Sequence, residues 1–375
     1  MNKAEYILRK PFVKTLIAIV LGFLVAGIIL VIAGYPPIES LKALFDGVFS
    51  SSKHLSNVII KSTPLIMIGI GVAFAFKTGL FNIGAEGQFI IGCAAAVVVG
   101  IECDFHPVIQ IPLVLLAGAV AGGLYGGFIG LLKARFGIHE VLTSIMMNWI
   151  ALYFSNWVCN LDRYHKPDTL GTYTVNKSGY TKVLSEWKMT SEGKETLLES
   201  EFLTNTLLKT DVNIGIIVAI ILAAIVSFLL FRTAKGYELR AVGFNKFAAE
   251  FAGINVNKNI LHSMLISGAI CGLAAALYIT GNSPHSIATL SAFENYGFNG
   301  LSVCLIAASS PIGCIFAGLL FGGLIYGGQS MQYAVGAPSE LINIVIGIIV
   351  FFVALTHVIP ILFAKFSKGG KKHDK

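Results

Sequence analysis

Gly79-Leu80-Phe81-Asn82-Ile83-Gly84-Ala85-Glu86-Gly87-Gln88 decides how this chain is read. It is polar and glycine-rich between two apolar runs, one ending near Phe76 and the next near Gly100. A backbone that leaves regular helix inside a bilayer must pair its freed N–H and C=O groups with protein or a water-lined cavity, since lipid offers neither. A carboxylate, Glu86, and two amides, Asn82 and Gln88, in such a break point to the wall of a transport pathway. The plainer alternative is a helix-entry loop with Asn82 as its cap.

Composition sets the surroundings of that stretch. Hydrophobic residues make up 55% of the 375 and charged residues 13%, whereas a soluble domain carries about 25% charged residues. Most of the chain therefore has no water to face, and the expected class is an all-α polytopic integral membrane protein. The six cysteines show no CxxC or Cys/His ligand spacing and read as small apolar fillers. A disulfide between Cys103 and Cys159, both near one face, stays open. The sequence has no GxxxxGK[ST] phosphate loop and no HExxH or comparable ligand set. No catalytic residue, metal or cofactor is expected of it.

Apolar runs of about 20 residues suffice to cross the hydrocarbon layer. They fall near 15–33, 57–76, 81–100, 112–132, 141–159, 213–231, 260–280, 297–309, 311–328 and 340–362. The eighth is short and reads as a half-helix joined to its neighbour through Ser309-Ser310-Pro311. About ten transmembrane helices put both termini on one side. Seventeen of the 27 Lys and Arg residues fall on the N-terminal side of that alternation, which makes it cytoplasmic. Much of the net +7 thus reflects orientation rather than nucleic-acid binding. The first apolar run is longer than a signal-peptide core and no A-x-A site follows, so it reads as a retained helix. The membrane domain is then 1–363, followed by a basic cytoplasmic tail, 364–375. Segment 160–212, with mixed charges, is an extracellular loop insertion, either a small ordered cap or simply solvated.

The glycines suggest an inverted repeat. Gly118, Gly122, Gly126 and Gly130 recur every four residues, leaving one helical face bare for close approach of another helix. Gly318, Gly322, Gly323 and Gly327 repeat the device. Upstream of each lies an Asn–Gly-rich break, Phe81-Asn82-Ile83-Gly84 and Phe298-Asn299-Gly300. Downstream comes a helix opened by an acid, Glu140 and Glu340. Two related units, about 57–159 and about 260–362, would be inverted relative to each other, a recurring transporter design.

Residues 232–259 form a polar cytoplasmic connection. Phe244, Phe247, Phe251 and Ile254 recur at three- and four-residue spacing and predict one short amphipathic helix. Ala248 and Ala249 would give it a smooth surface and Gly253 its end. Such a helix suits a groove on a partner or, alternatively, the inner membrane surface.

These motifs carry a resemblance. Gly79–Gln88, the run from His139-Glu140-Val141-Leu142 through Asn148-Trp149 to Tyr153, Gly243 through Ile254, and Gly297-Phe298-Asn299-Gly300 followed by Pro311-Ile312-Gly313 resemble a known family. It is that of the permease subunits of ATP-binding-cassette importers of the branched-chain amino acid, ribose and nucleoside group. Within it the chain looks most like the larger permease of nucleoside importers served by basic-membrane-lipoprotein-type receptors. Ser309-Ser310 and the long 160–212 segment depart from the usual pattern. The resemblance implies a type II importer-like fold, with a second permease, cytoplasmic ATPases and an extracellular lipoprotein binding protein as partners. Gly243, Ala248, Ala249 and Gly253 would dock on an ATPase, and the chain itself would not be an enzyme.

Substrate class is read from the candidate pathway: Asn82, Glu86, Gln88, Asn148, Trp149, Phe298 and Asn299. Glu86 is the one acid deep within an apolar run. A charged solute would need a fixed opposite charge, whereas amides hydrogen-bond hydroxyls or base edges and aromatic faces stack on planar rings. An uncharged ring-bearing solute fits, a nucleoside first and a simple sugar such as ribose as the alternative. An ion-coupled secondary carrier, working alone through an acidic or histidine relay, is the reading from a different class.

Overall fold

The structure, a computed structural model, describes residues 11–355. Among the described residues there are helices and connecting loops, with isolated β-bridges but no strands. The longer helices, in chain order, are α1 (Pro11–Ile32), α2 (Pro37–Phe49), α3 (Ser52–Lys77), α4 (Ala85–Glu102), α5 (Pro107–Phe136), α6 (Glu140–Cys159), α7 (Ser191–Leu198), α8 (Gly215–Arg232), α9 (Ala234–Phe244), α10 (Lys246–Phe251), α11 (Val256–Gly281), α12 (Tyr296–Ile306), α13 (Gly313–Val335) and α14 (Ser339–Ala354). Each expected apolar segment coincides with a helix. Six of these (α3, α4, α5, α8, α11 and α13) are long and apolar enough to cross a membrane. The tail 364–375 and the end of the tenth segment lie outside the described residues.

The described chain forms two compact units, 51–322 and, separately, 11–50 with 323–355. In the smaller unit α1 packs on α14, so closely that a Cβ at Gly22 would lie 2.9 Å from Ile349 Cα. Helix α2 was not expected. Its Ser40, Leu44, Gly47 and Val48 are buried at three- and four-residue spacing, and this amphipathic face holds together a helix of 13 residues, too short to cross.

In the larger unit α3 is the central helix. Over residues 64–76 it is apolar on every side, and Leu65, Ile66, Met67, Ile68, Ile70, Val72 and Phe74 are all buried, as an all-round apolar stretch must be. Pro64 lies inside it, and the two residues before Pro64 reinforce the turn. Ser62 Oγ donates to the Val58 carbonyl at 2.6 Å and Thr63 Oγ1 to that of Ile59 at 2.8 Å.

The two glycine stripes determine which helices touch. A Cβ at Gly122 of α5 would lie 2.5 Å from the Gly268 carbonyl of α11, and one at Gly272 would lie 2.0 Å from the Gly118 carbonyl. Helix α4 joins the same helix, with Gly92 facing Gly272 at 2.7 Å. On the other side, Cβ atoms at Gly318 and Gly322 of α13 would meet Ile66 and Ser62 of α3 at 2.3 and 2.1 Å. Helix α12 also packs on α3, with Gly300 facing Ile68 at 2.4 Å. Small residues let backbones meet where lipid provides no hydrophobic drive between helices.

Segment 160–212 is ordered and packed rather than merely solvated. Its backbone pairs with the loop before α12: Thr172 N–H donates to Ile287 O at 2.9 Å, Val175 N–H to His285 O at 2.9 Å, and Thr289 N–H to Leu170 O at 2.8 Å. Its own Val175 and Leu197 are buried. All six cysteines are free.

Candidate functional site

The first break is shorter than the motif that announces it. Helix α3 ends at Lys77, Gly79 adopts φ +76°, and α4 begins at Ala85. Glu86, Gly87 and Gln88 are therefore already helical. The second break also moves. Phe298-Asn299-Gly300 is not broken but lies in the first turns of α12, and the irregular stretch precedes it, ending at Asn295 with φ +65°. The glycines misled because they serve contact. A Cβ at Gly297 would lie 2.1 Å from the Glu86 backbone nitrogen, where no side chain fits.

The start of α12 thus lies directly against the start of α4, and Glu86 joins them. Its carboxylate is fully buried and accepts the Asn295 N–H at 2.9 Å and the Gly297 N–H at 2.5 Å. Helix α12 has no side-chain cap of its own, so Glu86 supplies from a distant segment the acceptor that a helix N-terminus needs. Helix α4 is capped in the same borrowed manner. Asn148 of α6 accepts the Gly87 N–H at 2.8 Å and donates to the Ile83 carbonyl at 3.2 Å. Asn82 closes the arrangement. Its amide donates to Gln88 Oε1 at 2.9 Å and Ser267 Oγ at 2.8 Å, and accepts from Gln88 Nε2 at 3.1 Å. Ser267 passes the bond on to the Gly71 carbonyl at 2.6 Å.

Four of the seven expected pathway residues, Asn82, Glu86, Gln88 and Asn148, are thus buried and bonded to the breaks themselves. The other three are more open. Trp149 is 45% exposed, and Phe298 and Asn299 are half-buried. Phe293 links the aromatics, its ring centroid 4.7 Å from Trp149 and 5.9 Å from Phe298. Sequence reasoning missed Ser267, Phe293 and Asn156. Asn156 holds the second irregular stretch, donating to Leu290 O at 2.9 Å and accepting its N–H at 2.7 Å. Its signal was available: it lies eight residues after Asn148, on the same broad face of α6.

The polar connection 232–259 holds two helices, not one. Asn245 ends α9 and caps α10, accepting the N–H groups of Phe247 and Ala248 at 3.0 and 3.1 Å; an Asx cap interrupts the expected single face. Phe244, Phe247 and Phe251 are exposed, the last almost completely. Ala248 is exposed too, but Ala249 faces inward. Gly253, at φ +82°, ends the turn with open space around it. Gly243 packs against the first break: a Cβ there would lie 2.3 Å from the Lys77 carbonyl. Beside this contact a cleft of about 1030 Å³ runs between Thr78–Leu80, the α5–α6 connection and the α9–α10 region.

Apolar helices of crossing length, with two internal breaks each capped by a side chain from another helix, define a multi-pass membrane transport protein. The chain belongs to the family described as branched-chain amino acid transport system / permease component, which it matches over residues 54–354. It is 40% identical over 355 residues to the guanosine ABC transporter permease protein NupP of Bacillus subtilis, covering 95% of this chain and 96% of that one. It is 33% identical over 358 residues to the nucleoside ABC transporter permease protein NupB of Lactococcus lactis, covering 95% and 94%. The glucose ABC transporter permease protein TsgB13 of Haloferax volcanii is 27% identical over 345 residues, covering 91% and 86%. No solved structure matches the chain.

Proposed function

We propose that this chain is the larger permease of an ATP-driven nucleoside importer, working by alternating access. The observation that carries the mechanism is the apposition of the α4 and α12 starts through Glu86 and Gly297. Two broken elements that meet end to end can part or close with little disturbance to the helices behind them.

Helix exchange supports the inverted repeat of about 57–159 and 260–362. Helices α4 and α5 of the first half lean on α11, which opens the second, while α12 and α13 lean on α3, which opens the first. Ten crossings, with both termini and 232–259 cytoplasmic and 160–212 outside, follow from the charge distribution. The seven pathway residues then divide in role. Asn82, Glu86, Gln88 and Asn148 hold the crossing in shape, while Trp149, Phe298 and Asn299 present aromatic and amide surface to a neutral ring-bearing solute.

ATP hydrolysis belongs to partner ATPases. One docks on α10, against Gly243, Ala248 and Gly253 and the exposed phenylalanines, with Ala249 supporting the helix from within. Because Gly243 touches Lys77 and Gly79, a push on α10 reaches the first break through a single backbone contact. A second permease and a lipoprotein binding protein complete the importer. The nucleoside assignment follows the guanosine and nucleoside permeases at 40% and 33% identity. Its test is ATP-dependent uptake of labelled guanosine by the reconstituted complex. Competition by unlabelled guanosine and uridine is expected; competition by ribose or glucose instead would move the assignment to sugars.

A further inference from the structure

A second cavity, of about 750 Å³, lies between segment 160–212, α3, the end of α11 and the start of α12. That is the size of a small-molecule site. Five lysines line it (Lys61, Lys177, Lys182, Lys188 and Lys209) against two carboxylates, Glu186 and Asp211. Asp211 is already committed, 2.8 Å from Lys182 Nζ, which also donates to Ser283 Oγ at 2.8 Å.

Lys188 is in a different position. It is 6% exposed, and its ammonium donates to two backbone carbonyls at long range, Leu207 at 3.3 Å and Thr210 at 3.5 Å. A lysine so deeply buried is ordinarily paired with an acid. Here burial and then the neighbouring Lys182 hold its pKa down, with Asp211 opposing. An anion in the cavity would supply the missing charge. Across from the lysines, Tyr180, Tyr278 and Tyr296 contribute aromatic surface. Asn282, also in the lining, keeps its buried Oδ1 without a hydrogen-bond partner among the described residues.

We propose that this cavity binds a phosphate-bearing ring compound of nucleoside monophosphate size, with Lys188 anchoring the phosphate and the tyrosines receiving the base. Binding itself needs only the cavity; its consequence rests on the importer reading. Tyr296 opens α12 beside Gly297, so an occupied cavity borders the crossing and slows nucleoside uptake.

The test is equilibrium binding of radiolabelled guanosine 5′-monophosphate to the whole importer complex in phosphatidylcholine nanodiscs, with guanosine uptake measured on the same preparation. Saturable binding is expected, unaffected by equal guanosine and weakened about tenfold or more by Lys188→Met, which removes one charge-assisted contact. Lys209→Ser alters an exposed lysine of the rim and is expected to weaken binding about two- to fivefold. Binding insensitive to both substitutions would overturn the site. So would displacement of the nucleotide by phosphatidylglycerol, which would assign the lysines to a lipid headgroup. Intact uptake without nucleotide binding sinks the cavity alone. Nucleotide binding without guanosine uptake keeps the cavity and sinks the importer reading.

Discussion

Glu86 shows how one side chain can hold two helices in register. A buried carboxylate that accepts two N–H groups at the end of one helix while standing in the first turn of another is a bracket, not a free ligand. Glu86→Ala leaves both N–H groups unpaired in a dry place, at about 1–3 kcal/mol each. The expected result is a lower melting temperature of the purified protein together with lost uptake. Unchanged melting with lost uptake would instead make Glu86 a solute contact. Trp149→Ala is expected to behave in the opposite way. Because Trp149 is half in the open, the substitution should change the apparent KM for uptake and leave melting within about 1 kcal/mol of wild type.

At the scale of elements, the stripes decide which helices can touch. Gly272 faces the Gly118 carbonyl at a virtual Cβ distance of 2.0 Å, and a carbonyl in a helix cannot swing aside. Gly272→Val should therefore cost about 3 kcal/mol or more and deplete folded protein from the membrane. Gly123, whose nearest neighbour is the Ala269 Cβ at 3.2 Å, should accept alanine for less than about 1 kcal/mol. Normal accumulation of Gly272→Val would refute the close crossing. Helix α10 is a contrasting element, holding little of its own fold. Phe251 is 97% exposed, so Phe251→Ser should leave membrane level and melting unchanged yet reduce uptake at least about tenfold if the aromatic anchors an ATPase. Wild-type uptake would remove α10 from the docking surface.

Across the larger unit, segment 160–212 is tied to the end of α11 through Ser283, whose hydroxyl accepts from Lys182 at 2.8 Å and whose N–H Asp211 accepts at 2.9 Å, Lys182 and Asp211 being paired within the segment. Burial pushes the Asp211 carboxyl up, but Lys182 and Ser283 outweigh it, and it ionises below its ordinary 3.8. A depressed carboxylate contributes stability that is complete above the unfolded value and lost as pH falls through the folded one. Protease resistance of this segment should then hold at pH values above about 5 and decline below about 4. A decline already at pH 6 would assign the attachment to another group.

The order of apolar segments, the class of protein and the presence of a break at Gly79 were all legible in the sequence. Hydropathy and glycine content are local sums, and a bilayer imposes one length on every crossing. What the residues could not reveal was who satisfies the break. Asn148 reaches a backbone 61 positions away and Glu86 one 211 away, and nothing in the neighbouring sequence encodes such distances. Glycine was ambiguous for the same reason: at Gly79 it permits a left-handed turn, while at Gly297 and Gly300 it only makes room for another chain segment. The sequence by itself thus determined a helical membrane protein with an interrupted span. Only the tertiary structure decided that each interruption is capped by a side chain from another helix, because a buried N–H is paired by whichever acceptor the packing brings within about 3 Å.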